Sequence, residues 1–335
     1  MVKLRCRRRR SAAAVLMVAA ALLVSACGGA GQESDAKAVT ATESVHSEPS
    51  SLLDPSGHAL GVVDDKTPWQ YGIVTKFSEE AGRAPDIREY YSNWGTDFDT
   101  EGNAFLWDHG QLPMLALVPT DTPLADIAAG EDDDYIRRLA DQIAAYDGPL
   151  ALSFAGEMNG PWNSWGPEHA KAADFVAAWK RVHDTFAEQG VTNVIWVWTP
   201  HVIDSGTTAK LRPYYPGDEY VDWVGLIGYY GPLDGTAFSS LFTPTMRSVS
   251  DFSDKPVLIA ETGVAESDSK AEHIRDLFQG AEKAGVIGVV WYDQRKDWPG
   301  SDQLMDWRIS SSVESLAAFK VESSRSGFGH SFKDG

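Results

Sequence analysis

Two glutamates stand where a pair of carboxylates could do chemistry. Glu157 follows an apolar run at residues 149–154, in the stretch FAGEMNGPWNSWG, and Glu261 follows another apolar run, in LIAETG. If both runs are buried strands, each carboxylate lies just past a strand end. From the strands alone, an ion pair or a helix cap explains each glutamate as well as catalysis does.

A carboxylate pair at a common site has a specific use. Cleavage of an acetal needs a proton for the leaving oxygen and a nucleophile, or an activated water, for the carbon. A separation of about 5 Å between the carboxyl groups gives retention through a covalent intermediate, and a wider separation gives inversion. The charge of one carboxylate raises the pKa of the other and keeps it an acid.

The elements that would position these residues repeat along the chain. Short apolar runs alternate eight times with longer amphipathic stretches, which predicts a single α/β domain of the (β/α)8 TIM barrel class. The predicted strands are residues 59–63, 86–91, 113–118, 149–155, 193–198, 221–227, 256–260 and 286–292, and clear helical patterns cover residues 132–146, 170–189 and 270–284. In such a barrel the site forms at the C-terminal ends of the strands.

The ends of the chain predict export and anchoring. Residues 1–26 combine a basic start with an uncharged apolar run, as signal peptides do, and VSAC at 24–27 resembles a lipoprotein cleavage site. We expect lipidation of Cys27 and a location at the cell surface, on the outer face of the cytoplasmic membrane; secretion as a free protein is the alternative. Residues 27–57 predict a flexible tether, 58–320 the barrel domain, and 321–335 a disordered tail.

Charge and composition narrow the partners. Loss of the leader, with six basic residues and no acidic one, lowers the net charge from −19 to −25. Nucleic acid is therefore a poor partner and a neutral polymer a better one. Among eight histidines only His201 clearly lies at a predicted strand end, so we expect no metal site. We also expect that the protein needs no cofactor and is a monomer.

The motifs resemble those of glycoside hydrolase family 26, a group of retaining (β/α)8 enzymes that includes β-mannanases and some β-1,3-1,4-glucanases. The resembling segments are FAGEMNGPWNSWG, NVIWVWTP, YYPGDEYVDWVGLIGYY, KPVLIAETG and DWR at 306–308, in the expected order from the first strand to Lys320. The resemblance implies that Glu157 is the acid/base and Glu261 the nucleophile.

The resemblance also implies sugar-binding aromatic residues. The tyrosine that hydrogen-bonds the nucleophile falls on Tyr229, although the adjacent Tyr230 leaves the alignment ambiguous by one position. The tryptophan beneath the attacked sugar falls on Trp291, and Trp162 and Trp165 match the aromatic residues beside the acid/base.

Two positions depart from the family pattern. The chain has Gly156 where members usually have histidine directly before the acid/base, and His201 where the family often has asparagine. An imidazole at position 156 would contact substrate and nucleophile. Its absence leaves open a lower activity, another sugar, or a non-hydrolytic relative.

Other polar and aromatic residues are candidates from their positions alone. Trp198 at a strand end and Asn159 on the catalytic loop could bind sugar or simply support the fold. We expect the side chain of Trp196 to fill the barrel interior and that of Trp179 to lie in the hydrophobic core. The remaining candidates for the cleft or its solvated rim are Trp94, Trp298, Asp64, Asp65 and Asp293.

The sequence and this resemblance therefore predict an enzyme, an endo-acting retaining glycosidase that cuts β-linked polysaccharide by double displacement on Glu157 and Glu261. The expected substrate is β-1,4-mannan. A β-1,3-1,4-glucanase of the same family is one alternative. A catalytically silent, glycan-binding surface lipoprotein is the other.

Overall fold

A computed structural model describes residues 49–63, 71–204, 206–207, 210–231, 235–297, 304–325, 327–329 and 332. The predictions for the signal peptide, for Cys27 and for most of the tether lie outside these residues, as do those for Asp64, Asp65 and Trp298. Within the described ranges, no helix combines the length and apolar character needed to cross a bilayer.

The described residues contain a closed barrel of eight parallel strands, which confirms the predicted fold. Neighbours in sequence are neighbours in the barrel, and β8 pairs with β1 to close it. The strands are β1 (Ala59–Val63), β2 (Ile87–Asn93), β3 (Leu112–Val118), β4 (Leu150–Phe154), β5 (Val194–Trp198), β6 (Trp223–Ile227), β7 (Val257–Thr262) and β8 (Gly288–Tyr292).

Helices cover the outside of the barrel. They are α1 (Tyr71–Ala81), α2 (Thr100–Asp108), α3 (Leu124–Ala129), α4 (Asp133–Tyr146), α5 (Ala172–Glu188), α6 (Phe238–Leu241), α7 (Thr243–Ser250), α8 (Lys270–Ala284) and α9 (Val313–Ser323). After β8, an antiparallel pair of short strands, β9 (Arg295–Asp297) and β10 (Leu304–Asp306), forms part of the barrel mouth.

Side chains of the strands alternate between two apolar layers, as the two-residue period of a strand requires. One set fills the barrel interior and includes Ala59, Ile87, Met114, Ala151, Val197, Leu258 and Val290. The other set packs with the helices and includes Leu60, Leu115, Leu152, Trp196, Trp198, Val289 and Trp291. Trp196 therefore does not fill the barrel as predicted; it packs against Trp179 and Phe186 of α5.

Both ends of the domain extend beyond the predicted boundaries. On the N-terminal side, Leu52 is buried with the barrel interior, and the carbonyl of Leu53 accepts a 2.9 Å hydrogen bond from the indole of Trp223. On the C-terminal side, Phe328 and Phe332 are buried. The described parts of 49–57 and of 321–335 thus belong to the packed domain rather than to a tether and a disordered tail.

Candidate active site

The strands of the barrel open at their C-terminal ends into a cavity of about 560 Å³. That size is typical of small-molecule and cofactor sites. The walls include Glu89, Tyr91, Glu157, Trp162, Trp165, Thr199, His201, Asp204, Tyr229, Glu261, Tyr292, Lys296 and Trp307. Both predicted catalytic glutamates therefore face one cavity, although 104 positions separate them in the sequence.

Glu157 is held by an unusual backbone. The chain turns directly after β4, and both Ala155 and Glu157 have left-handed φ angles, of 48° and 55°. Non-glycine residues rarely adopt this region, and such strain concentrates at functional sites. A 2.7 Å hydrogen bond from the Glu157 amide to the Thr199 carbonyl ties the turn to the end of β5.

The side chain of Asn159 stabilises the same turn through hydrogen bonds. Its side chain donates to the His201 carbonyl and accepts from the His201 amide, both at 2.9 Å. The side chain is buried and does not line the cavity. The sugar-binding prediction for Asn159 is therefore wrong: both polar ends of its amide are used to join two loops.

The carboxyl group of Glu157 has two side-chain partners. Oε1 lies 2.8 Å from Nδ1 of His201, and Oε2 accepts a 3.3 Å hydrogen bond from the indole of Trp162. A quarter of the side chain is exposed to the cavity. The group is thus oriented by neighbours and still accessible to a bound molecule.

His201 continues this contact to a second carboxylate. Its Nε2 lies 3.3 Å from Oδ2 of Asp204. Burial alone would raise the pKa of Asp204, but hydrogen bonds from His201 and Thr207 outweigh burial and hold that pKa below its usual range. An ionised Asp204 accepts the Nε2 proton, which fixes the imidazole in one orientation.

Glu261 reaches the cavity because β7 is irregular. The pairing of β7 with both β6 and β8 shifts by one residue at Ala260 and Glu261. Ala260 belongs to the interior layer, and the extra residue turns the next side chain inward as well. The hydroxyl of Tyr91, on the inner face of β2, donates a hydrogen bond to Oε2 of Glu261.

The position of Glu261 makes ionisation costly. Burial first, and the negative charge of Glu157 second, raise the pKa of Glu261 to about 7 from an ordinary 4.5, although the Tyr91 hydrogen bond opposes the rise. Burial, with Glu261 as a further cause, also raises the pKa of Tyr91, so the phenol keeps the proton that it donates. Burial and the charge of Glu157 therefore both favour the protonated form of Glu261.

A third carboxyl group, which the sequence reasoning missed, lies on the cavity wall. Glu89 is on the inner face of β2 and only 2% exposed. Burial raises its pKa well above the ordinary value, and the charges of Glu261 and Glu157 raise it further. The alternating pattern of IREYY could have placed Glu89 and Tyr91 on one face of the strand.

Gly156 has a steric explanation. A Cβ atom at this position would lie 2.8 Å from Oγ1 of Thr199, closer than carbon and oxygen can pack. Thr199 itself is held by a 2.5 Å hydrogen bond with Ser153. Histidine does not fit at position 156 in this chain, and the imidazole beside Glu157 comes from His201 instead.

Aromatic side chains form two walls. Trp162, which is 47% exposed, and Trp165, whose indole donates a 2.8 Å hydrogen bond to the Gly156 carbonyl, lie beside Glu157. Opposite them, Tyr229, Tyr292 and Trp307 form a cluster with ring centroids 5.4 to 5.8 Å apart. Trp162, Trp165 and Tyr229 thus lie where predicted, whereas Tyr292 and Trp307 were missed.

Trp291 and Trp198 are not in the cavity, so their predicted contacts with substrate are wrong. Both are fully buried and belong to the layer that faces the helices. Trp291 contacts Phe319 of α9, and its indole donates a 2.8 Å hydrogen bond to the carbonyl of Trp307. The indole of Trp198 donates to the carbonyl of Tyr214. Strand alternation decides both cases, because Tyr292 and Thr199 occupy the inward positions.

The loop that carries Trp307 is fastened from α8. The ammonium of Lys270 is buried and donates to the carbonyls of Asp306 and Arg308, at 3.1 and 2.9 Å, on either side of the tryptophan. Burial lowers the pKa of Lys270 to about 8. Trp307 thus has two supports, Lys270 and Trp291.

The other candidates lie away from the cavity. Tyr230 donates to Asp276 of α8, which resolves the ambiguity in favour of Tyr229 as the cavity residue. Trp94 packs against Tyr135 and Phe154. Asp293 accepts a hydrogen bond from the Ile309 amide, and burial raises its pKa to about 6. Among the described residues, no three histidine, cysteine, aspartate or glutamate side chains are arranged so that they could hold a metal ion.

The chain is similar to known glycosyl hydrolases. Residues 128–253 match the model of Glycosyl hydrolase family 26. Over 263 residues the chain is 30% identical to Endoglucanase H of Acetivibrio thermocellus, and the alignment covers 74% of this chain and 28% of that protein. Over 148 residues it is 33% identical to Mannan endo-1,4-beta-mannosidase A and B of Caldalkalibacillus mannanilyticus, covering 41% of this chain and 27% of that protein.

The chain thus spans little more than a quarter of the length of these two relatives. Among solved structures, BoMan26A, a GH26 β-mannanase from Bacteroides ovatus, superposes with a TM-score of 0.60 at 16% identity and covers 84% of this chain and 92% of its own. That likeness shows the fold. The family-model match over residues 128–253 agrees with the family that the sequence resembles.

The placement of the tryptophans has a measurable consequence. Trp291→Ala should lower the free energy of unfolding by roughly 3–5 kcal/mol, because it empties a fully buried site. Trp162→Ala should change it by about 0.5 kcal/mol or less, because that side chain is half exposed. Urea unfolding of both variants tests the assignment, and a greater loss for Trp162→Ala would contradict it.

The raised pKa of Glu261 predicts a pH-dependent gain on its removal. Because this pKa is about 7 in the folded protein and 4.5 ordinarily, the native state holds the proton more tightly. Stability from this group is complete below about pH 4.5 and is lost as the pH rises through about 7. The effect of Glu261→Gln on the free energy of unfolding, relative to the wild type, should therefore be more stabilising at pH 8 than at pH 4.5, by up to about 3 kcal/mol.

The control for this pH series is Glu314→Gln, at an exposed position on α9. Urea unfolding at both pH values provides the measurement. A Glu261→Gln variant that gains no more between pH 4.5 and pH 8 than the control would show that Glu261 ionises freely in the folded state.

Proposed function

We propose that this chain is a retaining, endo-acting glycosyl hydrolase of family 26 that cleaves β-linked polysaccharide by double displacement. The observation that supports this proposal most directly is the meeting of Glu157 and Glu261 in one cavity. Each has hydrogen-bond partners that fix its orientation, and the charge of Glu157 acts on Glu261. Two such carboxyls are the complete requirement for cleaving a glycosidic bond.

The first displacement breaks the glycosidic bond. Glu157 donates its proton to the glycosidic oxygen while Glu261 attacks the anomeric carbon, so that the leaving sugar departs as an alcohol and the remaining sugar becomes an ester of Glu261. In the second displacement, Glu157 takes a proton from water, and the resulting hydroxide attacks the same carbon and releases Glu261. Two inversions give net retention.

The productive form of the site has the proton on Glu157 and the charge on Glu261. In the free site, the charge of Glu157 favours a proton on Glu261 instead. A proton on Glu157 removes the negative charge of that group, so that Glu261 can ionise. The Tyr91 hydroxyl then donates a hydrogen bond to the Glu261 carboxylate. The activity therefore requires the proton on Glu157 and the charge on Glu261.

His201 positions the carboxyl group of Glu157. Its Nδ1 lies 2.8 Å from Oε1 of Glu157, and Asp204, 3.3 Å from Nε2, fixes the orientation of the imidazole. The Glu157–His201–Asp204 chain thus holds the Glu157 carboxyl group in place for proton transfer.

The walls of the cavity suit a neutral sugar polymer. Trp162 and Trp165 on one side and the cluster of Tyr229, Tyr292 and Trp307 on the other offer flat apolar faces to the C–H faces of sugar rings. The cavity opens at the barrel mouth rather than being enclosed, as cleavage within a chain requires. The net charge of −19 disfavours an acidic polymer.

β-1,4-Mannan is the substrate that we propose first, because a relative named mannan endo-1,4-beta-mannosidase matches at 33% identity. A mixed-linkage β-glucan is the second candidate. It is favoured by the relative named Endoglucanase H, whose alignment covers the larger share of this chain. The catalytic glutamates serve either polymer, since subsite loops choose the sugar.

Release of reducing ends from mannan, mixed-linkage glucan, xylan and cellulose tests the proposal. We expect turnover of mannan or mixed-linkage glucan by the wild type and a loss of roughly 10²-fold to 10⁴-fold in Glu157→Gln, whose amide cannot donate the proton. Glu261→Gln should lose at least as much. Binding without turnover on every polymer would instead indicate the silent, glycan-binding barrel.

The role of His201 predicts a dependence on the leaving group. His201→Asn should lose part of the 10²-fold to about 10⁴-fold contribution of a positioned proton donor on substrates with poor leaving groups. It should stay close to wild type on aryl glycosides whose phenols leave without a proton. The matched control is His183→Asn, on the outer helix α5.

Kinetics on a series of aryl glycosides of graded phenol acidity provide the measurement. Equal losses of kcat/KM for good and poor leaving groups would contradict the role of His201 at Glu157 and would point to a general loss of structure.

A further inference from the structure

Glu89 is a buried carboxyl group that the double displacement does not use. It lies on β2 between the interior residues Ile87 and Tyr91, on the same face of the strand. Its exposure is 2%, it lines the cavity, and its Oε2 has no hydrogen-bond partner among the described residues. A desolvated carboxyl oxygen without a partner is costly to the fold, so its presence needs a reason.

Packing does not provide that reason. The neighbour of Glu89 on β3 is Met114, and the layer beneath it is apolar, with Ile87 and Leu112 paired across the same two strands. An apolar side chain at position 89 would continue this layer at no cost in desolvation. The fold therefore does not require a carboxyl group here.

A cation does not provide the reason either. Among the described residues that line the cavity, Lys296 is the one lysine, and its ammonium lies 4.6 Å from the ring centroid of Tyr292. The charged groups that act on Glu89 are the carboxylates of Glu261 and Glu157, both of which disfavour its ionisation. Burial and these two charges favour the protonated form of Glu89, which has one O–H donor and a carbonyl acceptor.

A sugar hydroxyl matches this pair of functions, because it accepts one hydrogen bond and donates another. The location specifies which sugar. Tyr91, which donates to Glu261, is two residues from Glu89 on the same face, and two residues of a strand span roughly 6.6 Å. Glu89 and Glu261 line the same cavity, and the charge of Glu261 acts on Glu89, so a pyranose ring held at Glu261 is within reach of Glu89.

We propose that Glu89 hydrogen-bonds a hydroxyl group of the sugar ring that Glu261 attacks, and that this contact makes the enzyme selective for sugars carrying that hydroxyl. The inference rests on the proposed glycosidase activity. It assigns Glu89 to substrate recognition, separate from proton donation and nucleophilic attack. A buried polar group built to bind a hydroxyl rejects substrates that lack it, because its own hydrogen bond is then lost.

The test compares aryl glycosides of the cleaved sugar in which single ring hydroxyls, other than the one at the anomeric carbon, are replaced by hydrogen. For the wild type, one deoxy position should lower kcat/KM by roughly 10²-fold or more relative to the parent glycoside. In Glu89→Leu, whose side chain cannot hydrogen-bond, the ratio of kcat/KM between parent and deoxy glycoside should fall to a few-fold. Neither substrate can make the contact with position 89 in this variant. Glu89→Gln, which keeps a donor and an acceptor, should retain discrimination.

Met114→Leu, which alters the interior layer beside Glu89 without touching the cavity, is the control and should discriminate as the wild type does. Equal discrimination by wild type and Glu89→Leu at every ring position would overturn the inference while leaving the glycosidase proposal intact. Absence of hydrolysis of any parent glycoside or polymer by the wild type would instead overturn the proposed function. Thermal unfolding of each variant establishes that it is folded.

Discussion

The repulsion among three carboxyl groups in one cavity governs the rest of the site. Glu89, Glu157 and Glu261 face the same space, and the charge of Glu157 raises the pKa of both of the others. Burial and this charge make ionisation of Glu89 and Glu261 costly, so the cavity favours their protonated forms. Catalysis then depends on a proton at Glu157 and a charge at Glu261, and Glu89 is left as a hydrogen-bonding group.

The barrel bears the cost of holding these groups together. Glu157 occupies a left-handed backbone conformation, and β7 carries an extra residue at Glu261. Oε2 of Glu89 has no hydrogen-bond partner in the described part of the chain. Each feature would be removed by selection for stability alone. Hydrogen bonds around the cavity stabilise this arrangement. Asn159 bonds to the backbone of His201, and Lys270 bonds to the loop that carries Trp307.

The sequence predicted the barrel and its two central glutamates well, for a physical reason. Buried parallel strands are short and continuously apolar, so their ends are visible, and a residue just past a strand end lies at the mouth of a barrel. Trp291 and Trp198 were misplaced because the apolar run hides which face each residue takes. The two-residue alternation of a strand also fails to predict which side chains of β7 face inward, because the extra residue near Glu261 interrupts it. The contacts of His201 with Glu157 and of Trp307 with Tyr229 depend on loop conformations that no local pattern encodes.

The central claim is that Glu261 forms a covalent bond with the sugar while Glu157 handles the proton. Incubation with a 2-deoxy-2-fluoro glycoside of the cleaved sugar, carrying a good leaving group, traps such an intermediate, and mass spectrometry of the intact protein and its peptides locates it. The account predicts one fluoroglycosyl group per chain, on the peptide that contains Glu261. Attachment at Glu157, or turnover that releases the inverted anomer with no labelled protein, would contradict it.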